Sequence, residues 1–161
     1  SPESDHMARR EARPLSIDQL GDARTDARER ALILLYEAET KAVPPRATLT
    51  TQVVEPDELT SELVGGVEDH RERIDASIAA HAKGWTLARM PLIDLTVMRI
   101  AGYELIGRTE VPVAVVLNEA VELAKRFSTD DSGRFVNGVL SAMVPDLRPP
   151  AEAGPHGART E

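Results

Sequence analysis

Between Lys125 and Arg134 the chain reads KRFSTDDSGR, three cations and two aspartates with Phe127 among them. Cationic side chains neutralise phosphate, an aromatic face stacks a base, and hydroxyls orient it, so this mixture suits nucleic acid. Each residue also has a plainer role. Asp130 stands where a helix begins, accepting amide protons at the positive end of the helix dipole. Phe127, taken alone, is a core residue. The adjacent Asp131 and the flanking Lys125, Arg126 and Arg134 are what that plainer reading leaves unexplained.

Elsewhere the residues offer little chemistry. There is no cysteine, which removes disulfides, thiolate metal sites and thiol nucleophiles together. The four histidines, His6, His70, His81 and His156, never fall into HExxH or HxxxH spacing. No nucleophile elbow or phosphate-binding glycine loop is present, and Gly65-Gly66 lacks the lysine such a loop requires. Glu119 and Glu122 share a helix face, but acids at that spacing are ordinary solvated surface, and Glu122 is placed to pair with Arg126 one turn on. We therefore expect no enzyme activity, metal or cofactor. Asn118 and Asn137 interrupt otherwise apolar helices and are expected to be partly buried and bonded, fixing how those helices dock.

The bulk properties fit a helical binding protein. Of 161 residues 42% are hydrophobic and 29% charged, close to globular usage, so the chain can bury a real core. Only Trp85, Tyr36, Tyr103, Phe127 and Phe135 are aromatic. A core built from Leu, Val, Ile and Ala favours helix on helix, and few rings are left for base stacking. A net charge of -8 argues against a strong sequence-blind grip on nucleic acid, so any RNA contact is local. No apolar run approaches the roughly 20 residues of a membrane span, and the expected location is the cytoplasm.

Five helical patterns position these residues. Ala27, Ala31, Leu34, Leu35 and Ala38 repeat at helical spacing from about Asp26 to Ala42, with Arg28 and Arg30 largely on opposite faces. Val43 to Glu55 reads as loop, opened by Pro44 and Pro45. Leu59, Leu63, Val67, Ile74 and Ile78 stripe a long helix from Pro56 to Ala82, and Gly65-Gly66 bends it or admits a close neighbour. Pro91 opens a helix to Ile106 with Leu92, Leu95, Met98, Gly102 and Leu105 on one side, and Pro112 opens another to Phe127. The last helix starts at Thr129 or Asp130 and stops at Pro145. The expectation is an all-α fold of two packed helical subdomains: a flexible arm at 1–25, whose first six residues read as a cloning remnant; an N-terminal subdomain at 26–84; a C-terminal subdomain at 85–147; and a disordered tail at 148–161.

The blocks ARERALILLYEAE (27–39), HAKGWTLARMPLIDLTVMRIAGYEL (81–105), NEAVELAKRF (118–127) and DDSGRFVNGVL (130–140) resemble, in order, those of the NusB transcription antitermination family. The resemblance implies a non-enzymatic protein of two helical bundles. It further implies binding, with ribosomal protein NusE, to the boxA element of nascent ribosomal RNA, so that an RNA polymerase antitermination complex resists premature termination. By matched position, Arg24 and Arg28 would contact RNA backbone, and the loop around Phe127, Asp131 and Ser132 would lie on the RNA side. Asp94, Arg99 and Glu104 match the helix facing NusE, with Leu95 an extra exposed apolar residue enlarging that surface.

This chain also departs from the pattern. From Met7 to Arg30 six arginines meet five acids, a net +1 where the family has dense arginine. The RNA grip of the arm should be weaker or more dependent on the partner, since each lost phosphate contact lowers the salt slope by about 0.9. The proline-bearing segment at 43–55 stands where the family places another helix, which predicts a smaller first bundle with residues 15–22 covering its open face. Two other readings remain: the accessory domain of an RNA cytosine methyltransferase, and a protein-only scaffold that has lost RNA. A monomer or weak homodimer is expected.

Overall fold

A computed structural model describes residues 17–150 as five α-helices with short connections. Helix α1 spans Ile17–Lys41, α2 Glu58–His81, α3 Leu92–Gly107, α4 Val113–Phe127 and α5 Asp130–Leu147. The spacing-based reading of apolar stripes holds for α1, where Ala27, Ala31, Leu34, Leu35 and Ala38 are all buried. Its start does not hold. The helix begins nine residues before Asp26, so residues 17–25 belong to an element and not to an arm. Residues 1–16 and 151–161, including most of the expected arm and tail, lie outside the described residues.

Helix α1 ends in a left-handed residue, Ala42 at φ 55°, whose neighbour Val43 returns its amide to Ala38 O. Pro44 and Pro45 then allow one 3-10 turn, Pro45–Thr48, in the segment read as loop. Arg46 from that turn reaches Glu68 and Asp69 of α2, at 3.1 and 2.7 Å, and holds the Asp69 carboxyl below its usual range. The glycine pair of α2 serves the same packing. A Cβ on Gly66 would lie 2.2 Å from the Tyr103 ring, and one on Gly65 2.8 Å from the Arg46 guanidinium. Side chains, not a backbone, fill the space the glycines leave.

Helix α3 is the centre of the molecule. Every residue from Asp94 to Leu105 is buried, not one side as the spacing suggested, because α1, α2, α4 and α5 all pack on it. Polar members of that stretch need partners inside, and Arg99 has them, donating to both Asp75 oxygens at 2.8 and 3.0 Å. Tyr103 donates to Glu62 at 2.8 Å, and burial with that carboxylate nearby pushes its phenol up to about 12.

Helices α4 and α5 form an antiparallel hairpin joined through Ser128 and Thr129. Thr129, not Asp130, caps α5, accepting from Ser132 N at 3.0 Å. Pro145 does not end that helix; it sits exposed in the last turn, where the amide it lacks would have served the carbonyl of exposed Ser141. Arg148, placed in the tail by sequence, is ordered instead. Its guanidinium donates to the carbonyls of Glu104, Leu105, Arg108 and Val111, closing the end of α3. One continuous apolar core runs from α1 through to Leu147.

Candidate RNA and partner interface

The sequence groups Lys125 to Arg134 as one surface, but the hairpin distributes these residues over three. α4 ends at Phe127, so successive side chains leave it about 100° apart, and those of α5 start again from a new axis. Arg126 turns toward α1, where it pairs with Glu29 and lies 5.7 Å from the Phe127 ring centre. Phe127 is 39% exposed, available to a ligand and not part of the core. Lys125 and Arg134 face the outer groove of the hairpin, with Asp130. Ser132 turns the other way, toward Trp85 and α3, and Asp131, paired with Arg134, stands at the rim of that side.

That third surface is a cavity of about 180 Å³ lined by Trp85, Pro91, Asp94, Asp131, Ser132 and Phe135. Trp85 follows the end of α2 and is 48% exposed, its ring tilted 60° to Phe135 at 5.8 Å. At the polar end, Ser132 Oγ donates to Asp94 Oδ2 at 2.9 Å. The other carboxylate oxygen, Asp94 Oδ1, is buried and has no partner among the described residues. The cavity thus sets a buried carboxylate beside two aromatic walls, where an acceptor left unmet costs roughly 1–3 kcal/mol.

The other residues matched to the partner-facing helix are not at the surface. Leu95 is 5% exposed and packs in the core, so the expectation of an extra exposed leucine is corrected. It sits on a helix surrounded on all sides, where an apolar residue is the ordinary choice. Arg99 and Glu104 are likewise buried and bonded within the chain. Of the four, Asp94 lines the cavity with Trp85 and Phe135.

Arg28 is also corrected. It is 3% exposed; its Nε donates to both Glu104 oxygens at 3.0 and 3.2 Å, its Nη2 lies 3.0 Å from Oε1, and Glu119 stands 3.8 Å away behind. Burial pushes the Glu104 carboxyl up from its usual range while Arg28 pulls it down. Arg28 therefore fastens α1 to α3 and has no face toward RNA. Arg24 stays exposed on α1, lining a separate recess with Asp57, Glu58, Glu62 and Arg108. Glu119 accepts from Thr25 at 3.3 Å and is taken up by this seam. Glu122 pairs with Lys125 at 3.9 Å and not with Arg126.

Asn118 and Asn137 depart most from expectation. Both are exposed, and neither side chain has a hydrogen-bond partner among the described residues, so they do not fix the docking of α4 on α5. Gly133 does that, bringing α5 against Lys125 and Val121 of α4. Trp85 is the functional candidate that spacing arguments passed over. Its signal was available: a lone tryptophan in a connection after Gly84, outside any stripe. Among the described residues no group of three acidic or histidine side chains is arranged to hold a metal, and no helix is long and apolar enough to cross a membrane.

The chain is similar to known proteins along most of its length. The family model described as the NusB family matches residues 25–145. A transcription antitermination protein NusB of Saccharopolyspora erythraea is 51% identical over 128 residues, covering 76% of this chain and 86% of the relative. The NusB of Acidothermus cellulolyticus is 50% identical over 125 residues, covering 75% and 86%. Among solved structures, T. maritima NusB superposes with a TM-score of 0.71 at 27% identity, covering 80% of this chain and 94% of that one. A structure of antitermination factors NusB and NusE in complex with dsRNA gives 0.65 at 25% identity, covering 76% and 96%.

Proposed function

Since the chain belongs to the NusB family of transcription antitermination factors, which are not enzymes, we propose that it binds boxA RNA of nascent ribosomal transcripts together with ribosomal protein NusE. It acts in the cytoplasm, as a monomer or weak dimer, within an RNA polymerase antitermination complex. The observation that carries this reading is the Asp94 carboxylate in the cavity with Trp85 and Phe135, on the helix packed against the hairpin that carries Lys125, Arg126 and Arg134. It offers a partner protein an aromatic anchor and a buried acceptor, the combination in which a few residues dominate an interface. The RNA side uses Arg24, Lys125, Arg126, Phe127 and Arg134; Asp131 and Ser132 stand between the two surfaces. Leu95, Arg99 and Glu104 support the partner site from inside α3.

The test is retention of boxA RNA against a scrambled RNA at moderate salt, with and without NusE. Discrimination that strengthens when NusE is added is the expected result, and Trp85→Ala should weaken NusE binding at least tenfold. Equal or absent retention of both RNAs overturns the RNA reading. If NusE binding survives in that case, the protein-only scaffold is left.

A further inference from the structure

We propose that the outer groove between α4 and α5 holds one nucleotide of the bound RNA, and that Asn118 and Asn137 read the edge of its base. This rests on the reading of the chain as an RNA-binding protein and adds to it the residues that discriminate. The groove is an open recess of about 620 Å³ and takes Asn118, Val121 and Lys125 from one helix and Asp130, Arg134 and Asn137 from the other. At its base α5 meets α4 closely at the buried Gly133, beside the half-buried Val121. Gly133 has no side chain, and a Cβ there would lie 2.6 Å from Lys125 Cγ and 3.5 Å from Val121 Cγ1. A larger residue at this buried position would press on the Lys125 stem and Val121 and disturb the seat of α5 on α4 that shapes the groove.

The walls have the other chemistry a nucleotide needs. Each asparagine offers an acceptor and two donors, and neither is engaged by the protein among the described residues. Splayed single-stranded bases are read along such edges, and asparagine pairs with adenine through both its donor and its acceptor. Lys125 and Arg134 supply the countercharge for the phosphate. Their present partners, Glu122 and Asp131, are exposed, so exchanging them for phosphate is cheap. Asp130 narrows the choice of base. As a carboxylate it only accepts, which favours an exocyclic amino group, and it repels a phosphate placed beside it. The groove therefore suits adenine or cytosine over uracil.

The experiment compares binding of labelled oligo(A), oligo(C), oligo(U) and boxA RNA to the full chain, with and without NusE. Wild type should prefer oligo(A) or oligo(C) to oligo(U) by about tenfold, the scale of one bidentate amide contact. In Asn118→Ala/Asn137→Ala the preference should collapse to about twofold or less, while boxA RNA is still retained through the cations. Both positions are exposed, and circular dichroism verifies that the variant folds. A variant that keeps the tenfold preference overturns the inference and leaves the RNA-binding reading standing. Loss of NusE binding with an unchanged base preference makes the groove a protein contact and also overturns it. A wild-type protein that binds none of these RNAs removes both readings together.

Discussion

Replacing Arg28 leaves the Glu104 carboxylate, 1% exposed, without its main counter-charge. Removing one member of a buried pair costs about 3–5 kcal/mol, far above the few tenths expected for an exposed RNA contact. Arg28→Ala should therefore unfold in less urea and yet retain RNA wherever it stays folded. The loss should depend on pH with a definite sign. Burial already holds the Glu104 carboxyl high, and without Arg28 it rises further, so the native state then binds more protons than the unfolded chain. The penalty is small below the ordinary glutamate range and grows as pH rises through it, which urea titrations at pH 4 and pH 7 would resolve. The position of Arg28 was readable in hindsight: Arg28, Ala31, Leu32 and Leu35 lie at i, i+3, i+4 and i+7, on the buried stripe itself. Glu104, 76 residues away, was not. Glu29 poses the converse case. It occupies Arg126 on the surface, so Glu29→Gln should free that cation for phosphate and steepen the salt dependence of RNA binding by about 0.9. An unchanged slope would mean that Arg126 does not touch RNA.

At the scale of the element, apolar spacing located every helix core and missed what happens at ends and on crowded sides. α1 reached further back than its stripe because Ile17 to Asp26 contains no proline to stop it, whatever its charge pattern. α3 was read as one-sided because periodicity records how apolar residues alternate with polar ones, and its polar residues Asp94, Arg99 and Glu104 are themselves buried. Glycines separate the same two influences. Gly66 and Gly138 both sit inside helices, where alanine is favoured by about 1 kcal/mol if there is room. Gly138 has nothing within 4 Å of its missing Cβ, whereas Gly66 faces the Tyr103 ring at 2.2 Å. Gly138→Ala should stabilise the protein by about 0.5–1 kcal/mol. Gly66→Ala should destabilise it by about 1–3 kcal/mol or more, since Tyr103 is held by Glu62 and cannot swing aside freely. Thermal unfolding of the two variants distinguishes propensity from packing, and a stabilised Gly66→Ala would mean the ring has another place to go.

For the whole molecule, what joins the first helices to the last is a set of contacts between residues far apart in the chain, which no local pattern encodes. Asp146, near the end of α5, is held from one face of α2: Ser77 Oγ donates to it at 3.0 Å, His81 Nε2 lies 2.7 Å away, and Arg73 donates to its carbonyl at 3.2 Å. The order of groups rules out a serine-histidine-aspartate relay. Serine and histidine both address the same carboxylate oxygen and not each other, so the cluster acts as a clasp. His81 and, behind it, Ser77 hold the Asp146 carboxyl below its ordinary value of 3.8. The unfolded chain therefore binds more protons than the native one in the interval beneath that value, and stability rises with pH across it. The contribution of the clasp is complete above about 3.8 and disappears as acid protonates Asp146 in the folded protein. Asp146→Ala should accordingly lower the urea midpoint at pH 6, and the gap to wild type should close toward pH 2.5. A gap that stays constant over that range would show that the side chain stabilises by packing alone. Such a result would also leave the core through α3, not the clasp, as the connection between the two ends of the chain.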